Sequence, residues 1–127
     1  MRIALDANRY TDFVRNDAPA VKIISGAARV FFPFVVLGEL RAGFAGGSRA
    51  KVNEAILAKV LASPRVEVLY PDQETTHHYA VLYQQLRRQG TPIPSNDLWI
   101  SALVVQHGLV LFARDAHFDH LPQIPRI

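Results

Sequence analysis

Apolar runs of three or four residues alternate along the chain with longer stretches whose apolar residues recur at helical spacing. Three runs are short enough to be strands buried on both faces of a sheet: residues 3–5, 30–32 and 109–112. Residues 66–69, which include Glu67, are predicted as a further strand. The stretches between these strands predict six helices: residues 9–16, 18–28, 35–44, 49–62, 72–89 and 95–107. A fifth, shorter strand is predicted at residues 124–127. This alternation predicts an α/β fold with a mainly parallel sheet of four or five strands.

Capping residues indicate where several of these helices begin and end. Side-chain oxygens that can accept hydrogen bonds from free helix N–H groups are predicted at three N-caps: Ser48, Asp72, and either Ser95 or Asn96. Glycines are predicted to end three helices: Gly46–Gly47, Gly90 and Gly108.

The composition excludes several classes of protein. Half of the 127 residues are hydrophobic, which suits one domain over residues 1–127 with a single core and argues against disorder. The absence of cysteine excludes a disulfide scaffold and a cysteine-ligated metal site. The longest apolar run, residues 30–38, is interrupted by Pro33, whereas a transmembrane helix needs about 20 residues. We therefore expect a cytoplasmic protein with no membrane partner. Its 14 basic and 11 acidic residues give a net charge of +3, which is compatible with a phosphate-rich partner.

Four carboxylates lie where the predicted fold would bring reactive groups together. Asp6 directly follows the first strand, and Asp115 comes three residues after the fourth. Both would point into the crevice beyond the carboxyl ends of a parallel sheet if those strands are neighbours. Glu39 and Asp97 share helix faces with apolar residues, where a carboxylate is rarely buried without a partner.

Each carboxylate also has an ordinary structural role open to it. Asp after a strand is common in turns, which applies to Asp6 and Asp115. Glu39 could lie at a helix edge with its head in water, and Asp97 could stabilise the first turn of its helix.

The combination of four carboxylates from four elements favours a metal site. Each like-charge pair at ~4 Å would cost about 4 kcal/mol at an effective dielectric constant near 20, and a divalent cation would remove that cost. Oxygen ligands without cysteine or a well-spaced histidine pair favour Mg²⁺ or Mn²⁺ over Zn²⁺. Such ions commonly serve phosphoryl chemistry.

Four short segments, in this order along nearly the whole chain, resemble those of PIN-domain ribonucleases, and within that group VapC toxins of toxin–antitoxin pairs. They are Leu5–Asn8, Gly38–Gly43, Pro94–Ile100 and Ala113–Phe118. The resemblance implies a three-layer α/β/α fold with strand order 3-2-1-4-5. It also implies endonucleolytic cleavage of RNA that depends on one or two Mg²⁺ or Mn²⁺ ions. The implied partners are a cognate VapB-like antitoxin and a second copy of the chain in a homodimer.

The resemblance assigns roles to individual residues. By position it implies four catalytic, metal-binding carboxylates: Asp6, Glu39, Asp97 and Asp115. It also implies that two polar residues help to shape their site: Asn8 and Asn96.

Arginine and histidine residues near these segments are further candidates. Arg9 and Arg114 could bind RNA, because a guanidinium suits bidentate phosphate contact, although a structural ion pair is an equal alternative for Arg114. His117 and His120 follow Asp115 closely, but the position of His117 is not a regular ligand position in the resembling family, and neither histidine is included among the predicted ligands.

Two departures from the family pattern keep a non-enzymatic alternative open. Relatives often carry Thr at the position of Ala7, and usually Thr or Ser at that of Ala113, whose hydroxyl commonly supports the metal site. The alternative is a catalytically weak PIN-like module that binds RNA or a protein. An aspartate-nucleophile phosphatase would also begin with a strand and Asp. It usually needs a second Asp two residues later, where Asn8 stands.

Overall fold

A four-stranded parallel sheet forms the centre of the protein, which the computed structural model describes over residues 1–127. The strands are β1 (Arg2–Leu5), β2 (Arg29–Pro33), β3 (Val66–Leu69) and β4 (Val110–Phe112). Their order is β3-β2-β1-β4, so β1 pairs with β2 on one side and with β4 on the other. In β1 the side chains of Ile3, Ala4 and Leu5 are all buried, as expected for a central strand covered on both faces.

Helices cover both faces of this sheet and complete the predicted α/β/α fold. They are α1 (Ala7–Val14), α2 (Ala18–Gly26), α3 (Phe34–Ala45), α4 (Ala50–Leu61), α5 (Gln73–Gln89) and α6 (Ser95–His107). The first four pack among themselves, and α5 packs mainly against α6. The chain moves outward from β1 to β3 and then returns to β4 on the opposite side, so right-handed crossovers place the two helix groups on opposite faces. The reversal creates a crevice between the carboxyl ends of β1 and β4. None of the helices combines the length and the apolar character that a membrane crossing requires.

The fifth predicted strand is reduced to a single parallel bridge between Leu111 and Arg126. The Leu111 N–H donates to the carbonyl of Pro125 at 2.8 Å, and the Ile127 N–H donates to the carbonyl of Leu111 at 3.1 Å. Pro125 has no N–H to contribute, so the pairing cannot extend into a ladder. This bridge lies on the far side of β4, the position that the predicted strand order gives to strand five.

Four helix ends match the sequence prediction. Asp72 caps α5 in a reciprocal arrangement with Thr75, and Gly46 ends α3. Gly90 and Gly108 end α5 and α6 in the left-handed region, with φ of 71° and 61°, which glycine adopts without steric cost.

The predicted N-caps of α4 and α6 are wrong. Arg49 precedes α4 and Pro94 precedes α6, and neither helix has a side-chain cap. Ser48 lies one residue too early. Ser95 and Asn96 already have helical backbone geometry, so their side chains cannot reach back to the N–H groups that an N-cap serves. Pro94 leads the chain into the helix with φ fixed at −57°.

Candidate active site

The ends of β1 and β4 hold two of the predicted carboxylates side by side. Asp6 is the N-cap of α1, and its Oδ1 accepts the Arg9 N–H at 2.9 Å. Its own N–H donates to the carbonyl of Phe112 at 3.3 Å, which ties the end of β1 to the end of β4. Asp115 follows β4 and caps a short 3₁₀ helix, Ala116–His120. Asp6 is only 6% exposed, so its carboxylate is fixed in place.

Two helices bring the other two carboxylates to the same edge of the sheet. Glu39 lies on α3, and Asn96 at the start of α6 donates to its Oε1 at 3.5 Å. Asp97 is the next residue of α6 and is half-buried. Asn8 is exposed in the first turn of α1, two residues beyond Asp6. The structure thus places the six predicted site residues around one crevice, while their role as ligands stays a prediction.

The pKa values of Asp6, Glu39 and Asp97 are each raised in part by the negative charges of other carboxylates in the group. Burial raises the pKa of Asp6, and the nearby negative charge of Asp115 raises it further. Partial burial raises the pKa of Glu39, as do the charges of Asp97, Asp6 and Asp115. Burial also raises the pKa of Asp97, while a hydrogen bond from His117 opposes that rise. The cluster is therefore repulsive when it is fully ionised, and this donor set of carboxylate oxygens suits a hard divalent cation.

Two arginines share one carboxylate beside this cluster. Asp12 Oδ2 lies 3.4 Å from Arg9 Nη1 and 3.3 Å from Arg114 Nη1. The Arg9 guanidinium also lies over the ring of Phe112, 4.5 Å from its centroid. Burial dominates the pKa of Asp6, but both arginine charges act to lower it, so both guanidinium groups are close to the site. The Arg114 side chain is 53% exposed and can reach a phosphate that approaches the crevice.

His117 joins the cluster, although the sequence analysis left it out. Its Nδ1 lies 2.8 Å from Asp97 Oδ2 and 3.0 Å from Asp115 Oδ1. The His117 N–H also donates to Asp115 Oδ1 at 2.9 Å. The spacing could have identified His117, because the side chain of an N-cap Asp accepts a hydrogen bond from the backbone N–H two or three residues later. That bond brings the later residue close to the carboxylate. His120 is exposed and stays outside the group.

Arg126 is a second residue that sequence reasoning missed. Its Nη2 donates to the carbonyls of Ala113 at 2.9 Å and Asp115 at 3.1 Å, and its Nη1 pairs with Asp119. It thereby holds the segment that carries Asp115 from a position eleven residues further along the chain. No local sequence pattern around Arg126 predicts this contact.

A groove lies between α1 and the α3–α4 pair, next to Glu39. The cavity measures about 770 Å³, and about half of its lining is apolar, from Ala7, Tyr10, Val14, Leu40, Phe44 and Ile56. Arg15 and Arg49 also line it. The hydroxyl of Tyr10 is buried and has no hydrogen-bond partner in the chain.

The raised carboxyl pKa values predict that the metal-free protein loses stability as the pH rises. Asp6 and Asp97 titrate above the ordinary 3.8, and Glu39 above 4.5, so the folded state binds these protons more tightly than the unfolded state. The stability they contribute is complete below those ordinary values and is lost as the pH rises through the raised ones.

Thermal melts in EDTA across this pH range measure the effect. The difference in melting temperature between wild type and the triple variant Asp6→Asn, Glu39→Gln, Asp97→Asn isolates the contribution of these three carboxyl groups from that of all others. Asp72 should act in the opposite sense, because hydrogen bonds from Gln106 and Thr75 lower its pKa. A wild-type and variant pair with parallel pH profiles would contradict the prediction.

Comparison with known proteins gives one family for nearly the whole chain. Residues 3–124 match the family model described as PIN domain. The chain is 31% identical over 90 residues to ribonuclease VapC4 of Mycobacterium tuberculosis, which covers 71% of this chain and 69% of that protein.

Solved structures with the same fold come from VapBC systems. VapBC-1 of nontypeable Haemophilus influenzae has a chain that superposes with a TM-score of 0.86 at 25% identity, covering 100% of this chain and 97% of that one. VapBC-5 of Mycobacterium tuberculosis, described as a member of the VapBC family of toxin–antitoxin systems, gives a TM-score of 0.71 at 24% identity, covering 99% and 98%.

Proposed function

This chain belongs to the PIN-domain family, among the VapC-type ribonucleases, and on that premise we propose that it is a metal-dependent endoribonuclease that acts as the toxin of a toxin–antitoxin pair. One observation carries the proposal: four carboxylates from four separate elements meet at the carboxyl edge of the sheet, where their charges repel. Such a cluster costs stability in an empty fold, and a cation-dependent activity explains why it is there.

The donor set supports Mg²⁺ or Mn²⁺ as the cofactor. One or two ions would be held by the carboxylate oxygens of Asp6, Glu39, Asp97 and Asp115. A bound divalent cation would polarise the scissile phosphodiester and activate a water as nucleophile. The chain's own contribution is to fix the carboxylates: Asp6 by its cap bond to Arg9, Glu39 by Asn96, and the Asp115 segment by Arg126.

The rest of the surface suits an RNA substrate. When the four site carboxylates are set aside, the chain has fourteen basic and seven acidic side chains. Arg114 and Arg9 lie at the edge of the crevice, where their guanidinium groups can bind backbone phosphates. Asp12 holds both in place and so reduces the conformational freedom that binding would otherwise remove.

Incubation of the purified protein with RNA tests this function. Cleavage to internal fragments is expected with Mn²⁺ or Mg²⁺ and should stop on addition of EDTA. Expression without an antitoxin should arrest growth. A protein that binds Mn²⁺ and RNA but cuts no RNA, and whose expression is harmless, would instead support the catalytically weak module, for which Ala113 is the motivating residue.

A VapB-like antitoxin is the partner that we propose for the groove beside Glu39, and a homodimer is the proposed assembly. The support is that VapBC structures share this fold, and that the groove opens next to the proposed catalytic residues. Its apolar residues suit the apolar side chains of an extended or helical segment, and Arg15 and Arg49 suit acidic ones.

A pair of variants on α4 tests the groove. Ile56 lines it and is 40% exposed, while Val52 is 45% exposed on the same helix but does not line it. Ile56→Glu is expected to weaken antitoxin binding about tenfold or more, because an apolar contact of about 1–2 kcal/mol is replaced by a buried charge. Val52→Glu should bind as wild type does, and both variants should still cleave RNA. Equal affinities for the two variants in a calorimetric titration would place the antitoxin elsewhere.

A further inference from the structure

We propose that His117 is a further protein ligand of the active-site cation, through Nδ1, and that this nitrogen biases the site towards Mn²⁺ over Mg²⁺. The inference rests on the proposed function, since it concerns the same metal site. It goes beyond it because the ligand set becomes mixed, with an imidazole beside the carboxylates. The four carboxylates alone would not distinguish the two ions in this way.

The first argument is the convergence of three donor atoms on one point. Single ligand atoms of Asp97, Asp115 and His117 all lie within 4.8 Å of one another. The separations of Nδ1 from the two carboxylate oxygens are 2.8 and 3.0 Å. Neighbouring ligands of one octahedral ion at ~2.1 Å are about 3.0 Å apart, so Nδ1 lies at ligand spacing from each of the two carboxylate oxygens.

The second argument is that the backbone fixes where the ring lies. The His117 N–H is bonded to Asp115 Oδ1, the carboxylate that caps the 3₁₀ helix in which His117 lies. The polar contacts of the ring run through Nδ1, and they go to two proposed metal ligands. A bound cation would take the place of these Nδ1 contacts, and the ring has no hydrogen bond to any other group.

The third argument is chemical. A ring nitrogen between two carboxylates occupies a position where positive charge is stabilised, which is also where a cation would bind. To coordinate a cation through Nδ1, the imidazole must be neutral and carry its proton on Nε2. Imidazole is a good ligand for first-row transition ions, whereas Mg²⁺ prefers oxygen. Replacing His117 by a residue with a poorer donor atom should therefore lower the affinity of the site for Mn²⁺ more than its affinity for Mg²⁺.

Pulsed EPR of the Mn²⁺-bound protein tests the proposal directly, because a coordinated imidazole couples its ¹⁴N nucleus to the manganese spin. The coupling is expected in wild type and in the control His120→Gln, which alters an exposed histidine of the same 3₁₀ helix. It should vanish in His117→Gln. Calorimetry should show Mn²⁺ affinity lowered about tenfold or more in His117→Gln, with a smaller change for Mg²⁺.

Three outcomes would overturn the inference, and they are distinguishable. Mn²⁺ binding without ¹⁴N coupling in wild type removes His117 from the ligand set but leaves the metal-dependent nuclease intact. Equal losses of Mn²⁺ and Mg²⁺ affinity in His117→Gln would show that the ring only orients Asp97 and Asp115. A wild-type protein that binds neither ion would overturn both this inference and the metal dependence in the proposed function.

Discussion

Asp6→Asn is expected to abolish RNA cleavage and growth arrest while raising the melting temperature of the metal-free protein. Activity should fall at least about 100-fold, since even residues that only support metal ligands cost 10–100-fold when changed. Stability should rise because burial and the charge of Asp115 disfavour the ionised carboxyl at this position. The amide oxygen of Asn can still accept the Arg9 N–H, so α1 keeps its cap.

The matched control for this variant is Asp17→Asn. Asp17 is also an N-cap, on α2, where its carboxylate accepts the Ala20 N–H at 3.1 Å, but it is exposed and lies outside the site. Its substitution should leave cleavage unchanged. Melts with and without Mn²⁺ complete the test, since the metal should stabilise the control and not Asp6→Asn. An Asp6→Asn protein that cuts RNA at the wild-type rate would remove Asp6 from the catalytic set.

Arg126→Ala is expected to cost about 2–4 kcal/mol of stability, because two backbone carbonyls and one carboxylate lose a charged donor. In a chain of this size that loss lowers the melting temperature by about 10 °C. Cleavage should also fall about tenfold or more at temperatures where the protein stays folded, because the segment carrying Asp115 is no longer held.

Arg65→Ala separates these two effects. Arg65 also clamps carbonyls, those of Ile24 and Ala27, but it does so where β3 begins, at the opposite end of the sheet from the crevice. Its loss should lower stability in the same way and leave the turnover of the folded protein and its Mn²⁺ affinity unchanged. If Arg126→Ala were no less active than Arg65→Ala, Arg126 would serve stability alone.

Local signals explain which parts of the fold were predictable. The run Ile3–Leu5 is apolar at every position, which favours a strand buried on both faces, and Asp6 directly after it indicated the carboxyl edge of the sheet. Asp72 and Gly90 determine the ends of α5 through their own side chain or lack of one. Such features depend on residues within one helical turn of each other, so they can be predicted from the sequence alone.

Features that depend on distant partners were missed or misplaced. The strand at residues 124–127 was predicted from its apolar residues, but Pro125 lacks the N–H that a ladder needs. Ser48 has a capping side chain, yet α4 begins one residue later, with Arg49 at its N-cap position. His117 and Arg126 act through Asp97, Ala113 and Asp115, and only the folded chain brings these groups together.

The pairing of β1 with β4 has a consequence for biosynthesis. It joins Ile3 to Val110, and Arg126 then secures the segment that carries Asp115. A chain made from its amino terminus can form the β1–β2–β3 half early, but the last quarter must emerge before the crevice closes. The long loop that this contact closes also makes it a late and slow step of folding. The crevice can therefore form only after residues 110–126 have left the ribosome, so the proposed nuclease site is assembled late in the chain's own synthesis.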